Sequence, residues 1–405
     1  MGTGNSGSFD TGSVQNEQVN DMKRKWYQYI AVLLICIFAL SGCGSPQKKE
    51  KENQDSAPEI AGLTYEKTMN LTYAEEFDVY YYKGGYKLIN IQESGKYLIV
   101  PEGKEAPDGL DKDIKIIQQP LQHVYMAASA SMSLIASIDA VDCVKFSGLG
   151  ESDWYVDAAR QAMQDGTMIY AGKYSEPDYE NLVDGDCDLA IESTMILHTP
   201  KVQEMIEDLD IPVLIDYASY ESHPLGRTEW VKLYGALFNK ETEAENFFSE
   251  QAKIIEDLEG FENTEKTVAY FYINTDGTVV VRKSDDYIPA MIEIAGGRYA
   301  FSDLRNPDNN APSVKLTMEE FYATAVDADY LIYNGTIVGQ VSSIKELEAK
   351  NNLFSEFKAV KNGNVWYTGK NLYQSTDTVG ELIRDIHLML TEENPQDMTF
   401  LQKME

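Results

Sequence analysis

The chain has 405 residues, 43 % hydrophobic and 25 % charged, with a formal net charge of −32. Nucleic-acid backbones and anionic lipid surfaces are bound mainly by cationic groups, so this acidity excludes both as electrostatic partners. It fits a solvated protein outside the cell, or one that prefers basic partners.

Met22 is followed by Lys23, Arg24 and Lys25, then by the apolar run Ile30–Leu40 and the tetrapeptide Leu40-Ser41-Gly42-Cys43. A basic start, an apolar stretch and a small-residue cleavage site make a secretory signal. The run is shorter than the ~20 residues a membrane-spanning helix needs. Leu-Ser-Gly-Cys resembles a bacterial lipobox, which implies that Cys43 is lipidated and becomes the mature N-terminus. The alternative is an uncleaved membrane anchor. Residues 1–21 read as an over-extended start, 22–42 as a lipoprotein signal peptide and 43–60 as a lipidated tether, because 44–57 are polar and low in complexity. Cys36 lies in the signal and Cys43 carries lipid. The remaining Cys143 and Cys187 are too far apart for a metal motif, and free thiols are expected rather than a bridge.

From residue 71 the pattern alternates and is rich in Tyr and Ile. Phe77–Tyr82, Tyr86–Ile89 and Tyr97–Val100 read as strands joined by hairpins, with Gly84-Gly85 as one turn. From residue 114 strands alternate with helices. Strands are expected at Ile114–Ile117, Cys143–Phe146, Met168–Tyr170, Leu189–Ile191 and Val213–Ile215, and helices at Val124–Ile138, Trp154–Met163, Asp178–Val183 and Lys201–Leu209. Thr228–Phe238 and Glu241–Leu258 read as two successive helices. A second alternating series follows, with strands at Val268–Ile273, Tyr299–Phe301, Tyr330–Tyr333 and Val365–Tyr367. Its helices are Tyr287–Ala295, Met318–Val326, Ile344–Lys350 and Val379–Thr391. The expected fold is α/β. Two Rossmann-like lobes (61–240 and 261–405) are joined by one long helix (241–260), and an extra β-rich segment precedes them.

The lobes echo each other. In the first, Glu180 stands at the start of a short helix before Asp188-Leu189. In the second, Glu319 does so before Asp329-Tyr330. With Gly235…Ala244 and Met291-Ile292-Glu293-Ile294-Ala295-Gly296-Gly297, these segments resemble the bacterial binding proteins that serve ABC importers of iron-siderophore, haem and corrinoid. The stretches Ala171–Glu180 and Tyr220–Trp230 look like a subgroup from Gram-positive anaerobes. The resemblance covers about residues 110–390. It implies a lipid-anchored monomer on the extracytoplasmic face of the cell membrane that hands a small-molecule metal chelate to a permease and its ATPase. It also implies that Glu180 and Glu319 dock onto permease arginines. The alternative is that each merely complements a helix dipole.

In two-lobe α/β proteins ligands bind beyond the carboxyl ends of the strands. That rule nominates Tyr125, Trp154, Lys173, Tyr174, His198, His223, Arg227, Arg282, Tyr287 and Tyr373 as ligand-binding residues. Aromatic walls suit a flat or chelate-like ligand, and the two arginines suit its carboxylate or catecholate oxygens. His223 and Arg227 also flank Pro224 and Gly226, and a loop-fixing role is the alternative for them. No His-Glu-x-x-His, Gly-x-Ser-x-Gly or Gly-x-x-x-x-Gly-Lys-Ser/Thr phosphate loop occurs in the sequence. The chain therefore reads as a carrier rather than an enzyme, with no intrinsic cofactor and no metal held directly. The expected ligand is a ferric siderophore or haem. A corrinoid, a surface module without a permease and a cell-wall enzyme are the other readings.

Overall fold

The computed structural model describes residues 1–2, 57–258, 262–305, 311–392 and 395–405. The expected signal peptide, Cys43 and the tether up to residue 56 lie outside the described residues, as does the expected end of the linking helix at 259–260.

Five strands form a first sheet in chain order: β1 (Tyr65–Thr68), β2 (Phe77–Tyr82), β3 (Tyr86–Ile91), β4 (Gly95–Val100) and β5 (Ile114–Gln118). The first four are antiparallel, and β5 lies parallel to β4. Alternation sorts the side chains between two faces. Phe77, Val79, Ile89, Ile91, Tyr97 and Ile99 enter the main core. Tyr82, Leu88, Leu98 and Val100 close a small second core with Ile60. The Ile114–Ile117 strand therefore belongs here and does not open the parallel series. Its apolar run mimics a buried strand, yet Ile116 is 45 % exposed at the sheet edge.

The first lobe is a fully parallel sheet, ordered β12-β11-β6-β7-β8. Its strands are β6 (Val124–Met126), β7 (Val144–Ser147), β8 (Ile169–Tyr170), β11 (Leu189–Ser193) and β12 (Val213–Asp216). Between them β9 (Gly172–Lys173) and β10 (Glu176–Pro177) make a small hairpin. The helix expected over Val124–Ile138 is corrected here. Val124-Tyr125-Met126 is the central strand, and helix follows only at Met132–Ala136. A three-residue apolar run gives periodicity nothing to separate strand from helix. Likewise the helix expected from Trp154 begins at Asp157 and ends at Gln164.

The second lobe contains β13 (Thr267–Ile273), β14 (Val279–Arg282), β15 (Arg298–Tyr299), β16 (Ser313–Leu316), β17 (Tyr330–Tyr333), β18 (Val365–Thr368) and β19 (Leu401–Lys403). Its order is β16-β14-β13-β17-β18-β19, with β15 against the start of β13. The strands β13, β17 and β18 are parallel, whereas β14, β16 and β19 are antiparallel additions. Phe271, Phe321, Phe354 and Phe357 stack beneath the sheet, with Phe271–Phe321 centroids 4.6 Å apart.

The lobe echo has a physical cause. Asp188 Oδ2 accepts from the backbone N–H groups of Gln122 (2.7 Å) and His123 (3.0 Å), just before β6. Asp329 Oδ2 accepts from Thr267 N (2.9 Å) and Thr267 Oγ1 (3.1 Å), at the start of β13. Each aspartate precedes one strand and satisfies the amino end of its parallel neighbour, which fixes their register.

The helix Pro224–Phe238 is buried along most of its length, and Asn239 ends it in the left-handed conformation (φ 56°). The helix Glu241–Leu258 then runs 18 residues, about 27 Å, into the second lobe. The two helices touch at Gly235, where an added Cβ would stand 2.7 Å from Ala244 Cβ. Only glycine lets them approach so closely.

Candidate ligand-binding site

The loops after β6 and β7 meet the loops after β17 and β18 across a seam. The second lobe's segment 369–378 is hydrogen-bonded directly to the first. Gln374 Oε1 accepts from Tyr155 N (2.8 Å), and Gln374 Nε2 donates to Asp153 O (2.9 Å). Thr376 Oγ1 donates to Ala130 O (3.0 Å), and Thr228 Oγ1 donates to Thr376 O (3.1 Å). Gln374 and Thr376 are buried.

Against this strap lies a cavity of about 300 Å³ lined from both lobes: Asp153 and Tyr155 from the first, Thr336–Gly339, Lys370 and Tyr373 from the second. Tyr155 and Tyr373 meet edge to face with centroids 6.3 Å apart. A larger cavity of about 440 Å³ is lined by Gln119–Gln122, Asp142, Cys143 and Leu237–Asn239. It belongs to the first lobe alone, by the amino end of β6, and has neither a guanidinium nor a phenol in its wall. The seam cavity is the candidate ligand site because both lobes line it.

A second cluster spans the seam at Tyr287. The Arg227 guanidinium, from the first turn of the Pro224–Phe238 helix, lies 4.1 Å from the Tyr287 ring centroid. Arg282, at the end of β14, lies 5.5 Å from the same ring and 3.4 Å from Asp286. Asp286 also caps the next helix by accepting from Ile288 N (3.0 Å). Burial works against the Arg282 charge, but Asp286 and the surrounding tyrosines more than offset it and hold the group protonated. Asp286 contacts Arg282 directly and also lies in the field of Arg227. Arg227 Nε is buried and has no hydrogen-bond partner.

The structure therefore brings Arg227, Arg282 and Tyr287 together, and sets Tyr373 in the cavity. It does not gather the others there. Tyr125 is buried in β6 and donates to Gly172 O (2.9 Å). Trp154 is buried and donates through Nε1 to Ser147 Oγ (3.0 Å). Lys173 is exposed and pairs with Glu176 (3.0 Å) in the β9–β10 hairpin, whose turn carries Tyr174. His198 is exposed at the end of a 3-10 turn. His223 accepts from Leu225 N through Nδ1 (3.1 Å) as a helix cap and stacks on Tyr73 (4.5 Å). The cavity residues not singled out from sequence are Asp153, Tyr155, Thr336–Gly339 and Lys370. Gln374, which donates to Tyr373, is not singled out either. All lie in loops beyond the carboxyl ends of β7, β17 and β18, where the carboxyl-end rule points.

The loop carrying His223 yields a pH prediction. Burial lowers the His223 pKa to about 4 and raises Glu221 to about 7. A histidine depressed on folding contributes stability that is complete above its unfolded pKa of ~6.5 and is lost as pH falls toward 4. A carboxyl raised on folding does the reverse, since the folded state binds more protons and stability falls as pH rises from ~4.5 toward 7. The two slopes oppose each other in the wild type. His223→Asn keeps the cap acceptor and should leave stability declining from pH 4.5 to 6.5, whereas Glu221→Gln should leave it rising. Each slope is on the order of 2 kcal/mol after solvent screening. Urea unfolding at the two pH values reads both, and parallel profiles for all three proteins would refute the assignment.

Among the described residues no group of three or more His, Cys, Asp or Glu side chains is arranged to hold a metal ion. Cys143 and Cys187 are both free thiols.

The sequence profile of the periplasmic binding protein family matches residues 133–372. The uncharacterized lipoprotein MJ0878 of Methanocaldococcus jannaschii is 28 % identical over 401 residues, covering 90 % of this chain and 93 % of that protein. The putative ABC transporter substrate-binding lipoprotein YhfQ of Bacillus subtilis is 27 % identical over 120 residues, 28 % of this chain and 37 % of that protein. Among solved structures, the petrobactin-binding protein YclQ of Bacillus subtilis superposes with a TM-score of 0.52 at 19 % identity, covering 67 % of this chain and 93 % of that one. A periplasmic heme-binding protein of Pseudomonas aeruginosa gives 0.54 at 14 % identity, covering 70 % and 98 %. These two structures bear on the fold alone.

Proposed function

The chain belongs to the periplasmic binding protein family, and on that premise we propose that it captures a metal chelate, a ferric siderophore or haem, for an ABC permease and its ATPase. Proteins of this family bind and deliver, and the chain is a carrier rather than an enzyme. The proposed location is the outer face of the cell membrane, with lipid on Cys43. The lipobox-like tetrapeptide and the lipoprotein relatives support that anchor.

The observation that carries the ligand class is the seam. Among the described residues two guanidiniums share one tyrosine ring and one carboxylate, and a cavity walled by two further tyrosines is lined from both lobes. Aromatic faces and a guanidinium with an unpaired buried Nε match a chelate rimmed by anionic oxygens. At about 300 Å³ the cavity sits at the small end of ligand pockets, so a large chelate stays partly outside.

Titration with ferric tris-catecholate, haemin and cobalamin tests the reading through intrinsic fluorescence. Quenching by one of the two iron compounds is expected. Quenching by cobalamin alone makes the ligand a corrinoid, and silence toward all three removes the chelate class.

A further inference from the structure

The orientation of the Gln374 carboxamide is fixed by its partners. Its Oε1 faces a backbone N–H, that of Tyr155 (2.8 Å), and its Nε2 faces a backbone carbonyl, that of Asp153 (2.9 Å). A flipped amide would oppose donor to donor and acceptor to acceptor. The second N–H of Nε2 therefore donates to Tyr373 Oη, 2.6 Å away. Tyr373 is an acceptor in that bond, and its own O–H has no acceptor among the described residues. The hydroxyl belongs to a side chain in the wall of the seam cavity, beside Lys370. Burial pushes the phenol pKa up, so the proton is retained.

We infer that Gln374 is a positioning residue that commits the Tyr373 hydroxyl to donate into the seam cavity, so that the ligand is selected for an acceptor oxygen placed between Tyr373 and Lys370. The inference rests on the proposed binding role of the seam and narrows it. The ligand presents a carboxylate, phenolate, hydroxamate or carbonyl oxygen at this point, and a ligand with a bare N–H or ammonium there is rejected. The selection is coupled to the lobes' alignment. The same amide ties Asp153 and Tyr155 to the second lobe, so Tyr373 has this polarity only while the lobes are held together. Gln374 itself is 2 % exposed and acts through Tyr373.

Gln374→Glu is the discriminating variant, because it keeps the side-chain shape and reverses the bond. A carboxylate still accepts from Tyr155 N but has no proton for Asp153 O or for Tyr373, whose O–H then turns inward to donate to it. Ultraviolet resonance Raman reads this without any ligand. The wild-type-minus-Tyr373→Phe difference spectrum isolates one phenol among 26 tyrosines. Its Fermi doublet should carry a ratio raised by the accepted bond in the wild type, and the lower ratio of a phenol that only donates in Gln374→Glu. A donor ratio in the wild type overturns the inference, whatever binds. With ferric tris-catecholate or haemin as the probe, whichever the wild type binds, Tyr373→Phe and Gln374→Glu should each weaken affinity about tenfold. Binding unchanged within about twofold in both variants overturns the inference while leaving the chelate reading intact. A wild type that binds no probe overturns the chelate reading, and the Raman doublet still decides the role of Gln374.

Discussion

Glu229→Ala is expected to cost about 3–5 kcal/mol of stability and to release the N-terminal sheet from the first lobe. Glu229 is fully buried in the Pro224–Phe238 helix. Its carboxylate accepts from three successive backbone N–H groups: Thr72 (2.9 Å), Tyr73 (2.7 Å) and Ala74 (2.9 Å). Glu221 takes the next two, Glu75 N (2.9 Å) and Glu76 N (3.1 Å), and also the Trp230 indole N–H (2.9 Å). Five consecutive peptide groups between β1 and β2 thus end on two buried acids, in the manner of an anion nest turned inside out. Lys232 stands 3.1 Å from Glu229, 3.0 Å from Glu245 on the linking helix and 3.2 Å from Asn70 O. Alanine at 229 leaves three N–H groups without an acceptor and Lys232 without its buried partner. Most of the cost comes from those orphaned groups rather than from the lost attraction. Chemical unfolding gives the magnitude, and limited proteolysis near residue 70 reports the release. A loss below about 1 kcal/mol would mean that water replaces the carboxylate at little cost.

This anchorage also reaches the root of the linking helix. Lys87 on β3 donates to Ala236 O (2.8 Å) and Asn239 Oδ1 (2.8 Å), and pairs with Glu241 (2.5 Å). The first sheet therefore holds the corner between the two helices. Family-level pattern reading has no purchase on it, because the family profile begins at residue 133. β1 escaped the sequence reading and Ile114–Ile117 was given to the parallel series, but the sheet's three middle strands were legible from their Tyr- and Ile-rich runs and the Gly84-Gly85 turn. Its docking was not. A glutamate that binds distant peptide groups looks in sequence like any helical glutamate.

The same divide runs through the lobes. Helices were legible to the residue at Glu241–Leu258, Ile344–Lys350 and Val379–Thr391, and so was the short strand Tyr330–Tyr333. Other short elements were not. The strands β14, β16 and β19 have four residues or fewer and are set by their neighbours. At the seam the arginines and tyrosines stand out by chemical type. Gln374 does not, because its role comes from partners more than 200 positions away in the chain.

Double reversal by Glu180→Arg and Glu319→Arg is expected to cut uptake by at least about a hundredfold while leaving ligand affinity unchanged. The expectation rests on the proposed docking to permease arginines, and the competing duty of each acid can be weighed. At the first helix, Asp178 is the cap and accepts from Asn181 N (3.2 Å). At the second, Thr317 and Glu320 exchange both bonds of a capping box. The termini are thus served by other residues. Glu180 and Glu319 are exposed and have no side-chain partner among the described residues. They occupy matching places in the two lobes, each on the helix that precedes the strand next to the lobe's central one (β11 beside β6, β17 beside β13). Two carboxylates on the two lobes can each meet a guanidinium without rearranging. Each charge-assisted pair is worth roughly 1.5–3 kcal/mol, and reversal replaces both attractions with repulsion. Single reversals should fall between. Helix-dipole loss alone costs about 0.3–1 kcal/mol per site, which would lower the melting temperature slightly and spare uptake. Transport assays in cells beside titration of the purified protein separate the outcomes. Uptake that survives the double reversal removes the docking role, and affinity that falls with it moves the acids into the ligand site.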